Sequence, residues 1–482
     1  MTISPLYQYL DAHKLNLIVT KQKGKSIIST DHRERGSILI TSQPLAIVSV
    51  SDDYCHHCLR QSHYTTLQRC SRCKAAYFCG MDCFKLAWIH YHRYVCGDKV
   101  DHRTADEELL ERMVCRLIHY KQQYAHIIQQ LSELADKVLQ RPYLRQPATH
   151  YGISHDDLIR LQSQFQCNAM SVEDEHLFVV GEGIYPVASF FNHSCRPNAA
   201  AVFDGSLLII KAIEPIRSGE EITLAYIDIG RSRGYRQRNL RDRYFFTCDC
   251  VRCNDQGWLR LLDRMRRRRR KNTDQLDTLR QHIDHWDLLT LSRQYDRLKN
   301  IHPDPSQPLT LGTFTHHMLQ LFTPYIWSVT ILTKAMETCL SFPVDSHHTS
   351  IIPSTSTRGM ASIPVFRIST LTGVQRLFYE SMSNQHWPFA VKCGLYILIQ
   401  YCFLYPPYHP MMAHHLIMLA KSGWNFIVQD RIREKVYARG VRRWIALAKE
   451  TAKYSFGIHG CHYKEAVSLE VLFRKEHQLV LG

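Results

Sequence analysis

No apolar run in this chain of 482 residues approaches the roughly 20 residues that a membrane-spanning helix requires. The most apolar stretch, residues 393–405, is shorter and is interrupted by Gln400. The first twenty residues lack the basic-then-apolar layout of a secretory signal. These absences predict a soluble intracellular protein of the nucleus, the cytoplasm or both, with no membrane partner. Also lacking is a Gly-x-Gly-x-x-Gly element, which argues against a doubly wound nucleotide-binding fold. Acidic residues are in deficit, 44 against 60 Lys and Arg, for a net charge of +16. Such an excess favours acidic partners, nucleic acid or nucleosomal surfaces, and bears on association rather than fold. Disulfides are not expected in a reducing compartment, where the 17 cysteines serve better as zinc ligands and buried thiols. Apolar content of 45% and charged content of 22% are those of a globular protein, and the length allows about two to four domains.

The cysteines are clustered. Cys55-x2-Cys58, Cys70-x2-Cys73, Cys79-x3-Cys83 and His92-x3-Cys96 supply eight ligands, the number that two tetrahedral zinc ions require. Thiolates two or three residues apart converge on one ion across a tight turn. His90 rivals His92, and the spacing to Cys96 favours His92. Fully ligated ions have no open position, so this zinc is structural. Further on, Cys248-x-Cys250-x2-Cys253 supplies three thiols that lack a fourth partner.

Between the clusters lies the run Asn192-His193-Ser194-Cys195-Arg196-Pro197-Asn198, followed by the strand-like residues 199–203. Val202-Phe203 and Leu207-Leu208-Ile209 flank Asp204-Gly205, a hairpin signal. Gly219-Glu220-Glu221-Ile222-Thr223-Leu224-Ala225-Tyr226 comes next. Residues 1–50 read as short strands (37–41 and 45–50 among them), with a glycine turn at Lys23-Gly24-Lys25-Ser26.

In this order, these motifs resemble the core of a SET-domain lysine methyltransferase, and Tyr77-Phe78-Cys79 with Trp88 ahead of His92 narrows the resemblance to the SET-and-MYND (SMYD-like) family. The resemblance covers residues 10–256 with specific motifs, and the rest only in helical character. It implies an α+β fold: a β-rich SET core split by a MYND zinc module and a helical insert, a post-SET zinc site, and an all-α, TPR-like C-terminal domain. The implied boundaries are 1–54 for the N-terminal SET part, 55–96 for the MYND finger and 97–164 for the insert. They continue with 165–231 for the SET core, 232–256 for the post-SET region and 257–482 for the helical domain.

By the same resemblance, Cys55, Cys58, Cys79 and Cys83 hold one zinc and Cys70, Cys73, His92 and Cys96 a second. Cys195 joins Cys248, Cys250 and Cys253 on a third. S-adenosylmethionine is the implied cofactor, bound by Lys23, Gly24, Lys25, Asn168, Asn192, His193 and Phe246. Tyr226 is the implied central catalytic residue and Tyr244 lines the lysine channel. One departure stands out: the family's turn is Gly-x-Gly, and its second glycine is Ser26 here, with an added Cβ.

Apolar residues recur at helical spacing through Leu110, Val114, Leu117, Tyr124, Ile128, Leu131, Leu134 and Val138, until Pro142 ends the pattern. Arg266-Arg267-Arg268-Arg269-Arg270-Lys271 reads as an import signal, a nucleic-acid contact or a solvated helix face. Residues 341–364, rich in Ser, Thr and Pro, read as a mobile loop, and 411–421 and 436–449 as helices.

Three functions follow in order of preference. The first is methyl transfer to a lysine of a histone or non-histone protein by a monomer. The second is a catalytically weak scaffold whose MYND module binds proline-rich partners in transcriptional regulation. The third is non-specific nucleic-acid binding through the basic surface.

Overall fold

The computed structural model describes residues 5–62, 66–96, 108–112, 114–115, 152–254, 276–284, 288, 367–428 and 430–481. The chain divides into two compact units, residues 1–226 and 227–482. Three of the expectations above, the pattern beyond residue 115, the 266–271 block and the 341–364 loop, lie outside the described residues.

The first unit is built from short strands. In chain order these are β1 (Leu15–Thr20), β2 (Gly24–Ser29), β3 (Ile38–Ser42), β4 (Ala46–Ser49), β5 (Gln68–Arg69) and β6 (Tyr77–Phe78). They continue with β7 (Ala169–Glu173), β8 (Val179–Ile184), β9 (Asn192–His193), β10 (Ala199–Asp204), β11 (Leu207–Ala212) and β12 (Thr223–Leu224). β1 and β2 form an antiparallel hairpin that sets Thr20 opposite Gly24. Gly24 closes the turn at φ +68°, a conformation glycine adopts without steric penalty, and Thr20 Oγ1 accepts from the Lys23 N–H at 3.1 Å. Two three-stranded antiparallel sheets follow, ordered β10-β11-β3 and β4-β8-β7. Leu208, Ile210 and Ala212, at every second position of β11, are fully buried, as the two-residue period of a strand dictates. With Ile27, Leu39, Ile40, Phe191 and Ile222 they form one apolar core.

At the β10–β11 hairpin, Asp204 faces Leu207, leaving Gly205-Ser206 as the loop. Gly205 has φ +57°, and a Cβ there would lie 2.4 Å from the Cys58 carbonyl oxygen, so two constraints select glycine. The crossing that positions the site is the parallel pair β9–β12, with Asn192 beside Thr223 and His193 beside Leu224. The chain leading into β12 is bonded on its other side to β2, through the Ile28–Glu221 bridge and the Ile222 N–H to the Ile27 carbonyl at 2.9 Å.

One detail departs from the sequence reading. Residues 1–50 open with a helix, Pro5–Ala12, because Leu6 and Leu10 stand four apart and pack into the core, each 1% exposed. Residues 165–168 are the last turn of helix His155–Asn168, and the core strand starts at Ala169. Ser154 caps this helix, its side chain accepting from the Asp157 N–H at 3.0 Å.

Arg112, 2% exposed, clasps the zinc-ligand region to the sheet. Its guanidinium donates to the Ile47 carbonyl at 2.6 Å and lies 4.5 Å over the Tyr91 ring, while Tyr91 donates to the His56 carbonyl.

The second unit is helical throughout its longer described segments: Arg233–Tyr244, Leu276–Asp284, Ile368–Ser383, Trp387–Leu404, Pro410–Val428, Arg431–Ser455 and Cys461–Leu481. The apolar run 393–405 falls largely in Trp387–Leu404, where Leu395, Ile397, Leu398 and Ile399 are at most 1% exposed. An apolar surface all round suits a helix enclosed by its neighbours, and no described helix is long and apolar enough to cross a membrane. Pro410 opens its helix, where a missing N–H costs nothing, and Asp430 caps the next by accepting from Ile432 and Arg433.

His415 is buried in this unit, with a ring nitrogen 2.7 Å from the Gly394 carbonyl oxygen, and burial lowers its pKa from 6.5 to about 4. The unfolded chain therefore takes up a proton below pH 6.5 that the folded chain refuses until about pH 4. Unfolding stability should fall through that window, by up to about 3 kcal/mol for this residue. Denaturant titrations at pH 7 and 4.5 should show a smaller fall for His415→Gln than for the unsubstituted protein, and equal falls would contradict the assignment.

Candidate active site and metal centres

Three backbone segments meet at Asn192: the turn into β2, β9 itself, and the approach to β12. Its side-chain Nδ2 lies 2.8 Å from Ser26 Oγ, 2.9 Å from Glu221 Oε1 and 3.1 Å from the Lys25 carbonyl oxygen. The carbonyl and carboxylate only accept, so the amide nitrogen must face them. Ser26 is 1% exposed, and the hydroxyl on its added Cβ meets the Asn192 amide. Glu221 also accepts from Lys23 Nζ through Oε2, at 2.7 Å. An ideal Cβ on Gly24 would find nothing within 4 Å, so this turn has open space against it. Lys25 Nζ lies 5.9 Å from the centroid of the Phe190 ring.

Immediately along the chain, His193 Nδ1 accepts from the Tyr226 N–H at 3.0 Å, and its Nε2 lies 3.3 Å from Cys195 Sγ. The half-buried Tyr226 donates its hydroxyl to the Phe191 carbonyl at 2.5 Å, with its ring 5.4 Å from that of His193. Phe191 and His193 flank Asn192, so the parallel crossing fixes Tyr226 to the segment that carries Asn192. Lys23, Gly24, Lys25, Asn192, His193 and Tyr226 are thus joined by a continuous set of backbone and side-chain contacts. Glu221 belongs to the same set and was missed by the sequence reading; its place two residues before Thr223 was the available signal.

The remaining candidates lie at or just after helix ends. Asn168, at the end of its helix, donates to the Gln164 carbonyl at 2.6 Å, a local C-terminal contact. Tyr244 ends helix Arg233–Tyr244 in the second unit, and Phe246 follows the left-handed Phe245 (φ +60°). Helix 233–244 also braces the late cysteines. Gln237 exchanges two hydrogen bonds with the Cys248 backbone, at 2.7 and 3.0 Å, and Arg233 donates to the Cys253 carbonyl. The Sγ atoms of Cys248, Cys250 and Cys253 lie within 4.8 Å of one another.

Two tetrads assemble in the first unit: Cys55, Cys58, Cys79 and Cys83, and Cys70, Cys73, His92 and Cys96, each with its ligand atoms within 4.8 Å of one another. A tetrahedron with zinc–sulfur arms of about 2.3 Å has edges of about 3.8 Å. Cys58–Cys79 at 3.4 Å, Cys70–Cys96 at 3.8 Å and Cys73 to His92 Nε2 at 3.7 Å are close to that spacing. A hydrogen bond with the Cys58 thiol lowers Cys55 to about 4, whereas the Cys58 thiol is pushed well up, chiefly by that same contact, and burial pushes Cys83 up to about 12. Neighbouring thiols cannot all ionise together unless a cation compensates them, and a divalent ion does so. Burial, then the Arg112 charge, lowers His92 to about 4, which leaves a neutral imidazole lone pair. Residues Trp88–His92 wind as a π-helical turn, which shifts the helix register around the axis and brings His92, not His90, to the cysteines.

Comparison with known proteins gives a match to the SET domain over residues 24–227. The chain is 29% identical over 272 residues to histone-lysine N-methyltransferase SMYD3 of Mus musculus, covering 51% of this chain and 63% of that protein. Residues 24–227 thus match a SET domain, and the chain is similar to lysine methyltransferases of the SMYD type. It is also 26% identical over 292 residues to histone-lysine N-methyltransferase ASHR1 of Arabidopsis thaliana, covering 53% of this chain and 58% of that protein. To N-lysine methyltransferase SMYD2 of Homo sapiens the identity is 28% over 258 residues, with coverages of 48% and 58%. The matched part of the chain thus spans 58–63% of these relatives' length.

Its cysteine-rich clusters are zinc-binding, and Cys55→Ser and Cys70→Ser should each lower the bound zinc by about one ion, measured by plasma mass spectrometry. Chelation should abolish amide-exchange protection across residues 66–96. Protection that survives complete metal removal would contradict a metal-dependent fold there.

Proposed function

We propose that this SMYD-like protein is a protein-lysine N-methyltransferase that uses S-adenosylmethionine. The observation that carries the reading is the Asn192 amide, held by Ser26, Glu221 and the Lys25 carbonyl beside the Gly24 turn and joined through Phe191 and His193 to Tyr226. The groups present suit a zwitterionic methionine end: Lys23 and Lys25 for its carboxylate and Asn192 for its ammonium. When bound, the cofactor supplies an electrophilic methyl on a sulfonium. The lysine ammonium would first lose a proton to water, and the neutral amine would then take the methyl, leaving the cofactor as a thioether.

Tyr226 is the group to orient the amine. Its hydroxyl hydrogen is committed to the Phe191 carbonyl, so towards an N–H the oxygen would act as an acceptor. Alignment of the two reactants supplies much of the acceleration, and an aromatic channel that includes Tyr244 desolvates the ammonium and lowers its pKa. His193 and Asn168 complete the cofactor contacts and Phe246 stacks on the adenine in this reading.

Three zinc ions belong to it: two in a MYND module at residues 55–96, and a post-SET ion whose fourth ligand, beyond Cys248, Cys250 and Cys253, is Cys195. The substrate is a lysine of a histone or non-histone protein, met in the nucleus or cytoplasm, with a proline-rich peptide as a further partner of the MYND module. Ser26 is the one residue that leans towards a degenerate scaffold, and its bond to Asn192 gives the added hydroxyl a partner within the site.

Calorimetric titration of zinc-replete protein with S-adenosylmethionine should show micromolar binding that Asn192→Ala weakens at least tenfold. Tyr226→Phe should keep the affinity within about twofold and lower transfer of labelled methyl groups to protein by about a hundredfold. Absence of cofactor binding by the folded protein would overturn the reading.

A further inference from the structure

Glu221 has no part in the residue set that the sequence suggested for cofactor binding, yet its carboxylate accepts from Asn192, a member of that set. Its backbone is fixed on two sides. Residue 221 bridges to Ile28 of β2, and Asn198 donates to the Glu221 carbonyl at 2.9 Å. One carboxylate oxygen, Oε1, accepts from Asn192 at 2.9 Å. The other, Oε2, accepts from the ammonium of Lys23 at 2.7 Å, across 198 positions of sequence.

The two partners differ in how firmly they are held. Asn192 lies in a strand and is tied to Ser26 and Lys25. Lys23 lies in the loop between β1 and β2, with 45% of its side chain exposed. The fixed half of the arrangement is therefore an anionic acceptor, and the exchangeable half is a primary ammonium on a flexible stem.

We propose that Glu221 is the binding residue for the cofactor's α-ammonium, and that Lys23 occupies the same carboxylate until the cofactor arrives. The inference rests on the methyltransferase reading above. It adds a residue to the site and a criterion for ligand choice. An incoming ligand that carries an ammonium and a carboxylate exchanges one internal ion pair for two, Glu221 with its ammonium and the released Lys23 with its carboxylate. A ligand with neither group cannot displace Lys23 and gains nothing from Glu221. Because the ion pair is half-exposed, its loss is a modest penalty that two new pairs can offset.

The test is calorimetric titration of the zinc-replete protein with S-adenosylhomocysteine and with its analogue in which the α-amino group is replaced by hydrogen. Each ligand is titrated into the unsubstituted protein, Glu221→Gln and Lys23→Met. Glutamine keeps the shape of Glu221 and an oxygen that accepts from Asn192, so the site should stay assembled. The unsubstituted protein should prefer the amino compound by tenfold or more. In Glu221→Gln that preference should fall to about threefold or less, chiefly through weaker binding of the amino compound. Lys23→Met should retain the preference, because Glu221 remains.

Equal weakening of both ligands by Glu221→Gln, with the preference intact, would overturn the assignment and leave Glu221 a structural support of Asn192. An unchanged preference and unchanged affinities would overturn it as well. Failure of the unsubstituted protein to bind either ligand is a different result, for it overturns the methyltransferase reading itself and the Glu221 assignment with it.

Discussion

The first unit depends on one constraint, that residues 192–193 run parallel to residues 223–224. The pairing is only two residues long, too short to stabilise itself by hydrogen bonding alone. It persists because both partners are anchored elsewhere. Phe191 is fully buried in the core, Ser194 donates to the Leu224 carbonyl, and residues 220–222 are bonded to β2. From that crossing the site follows. Asn192 is brought against the glycine turn, His193 receives the Tyr226 N–H, and Tyr226 reaches back to the Phe191 carbonyl. Each polar group is held by a segment distant in sequence, which is how a site keeps its geometry without long secondary-structure elements.

The zinc-ligand region applies the same economy. Its strands β5 and β6 are two residues each and its helix Met81–Ala87 has seven, so little of its stability can come from backbone ladders. Eight soft ligands in two interleaved groups supply the order, and Arg112 with Tyr91 carries it to the sheet through the Ile47 and His56 carbonyls. The helical unit is stabilised differently, by continuous apolar packing around helix Trp387–Leu404. There burial keeps the imidazole of His415 neutral at pH 7.

Much of this was legible in the sequence where chemistry fixes spacing. Pairs of cysteines two or three apart, Asp-Gly between apolar runs, and Pro410 ahead of an apolar helix each leave a local mark. The interleaving of the zinc tetrads came through a family resemblance, since spacing alone does not say which pairs share an ion. What could not be read locally depends on distant partners. Ser26 looked like an obstacle because a Cβ replaces a hydrogen, and only its contact with Asn192, 166 positions away, gives its hydroxyl a place. Glu221 looked like one acid in an acidic pair. The helix at Pro5–Ala12 was hidden because the apolar marks on its buried face, Leu6 and Leu10, are too few to stand out.

A cofactor site where residues 192–193 cross 223–224 beside the Gly24 turn can be mapped by ultraviolet crosslinking of methyl-labelled S-adenosylmethionine, followed by peptide analysis. Label should be confined to peptides that carry residues 23–26, 192–193, 221–226 and 246, and be competed away by unlabelled S-adenosylhomocysteine. Competable label that maps to other peptides, with none on these segments, would contradict the assignment.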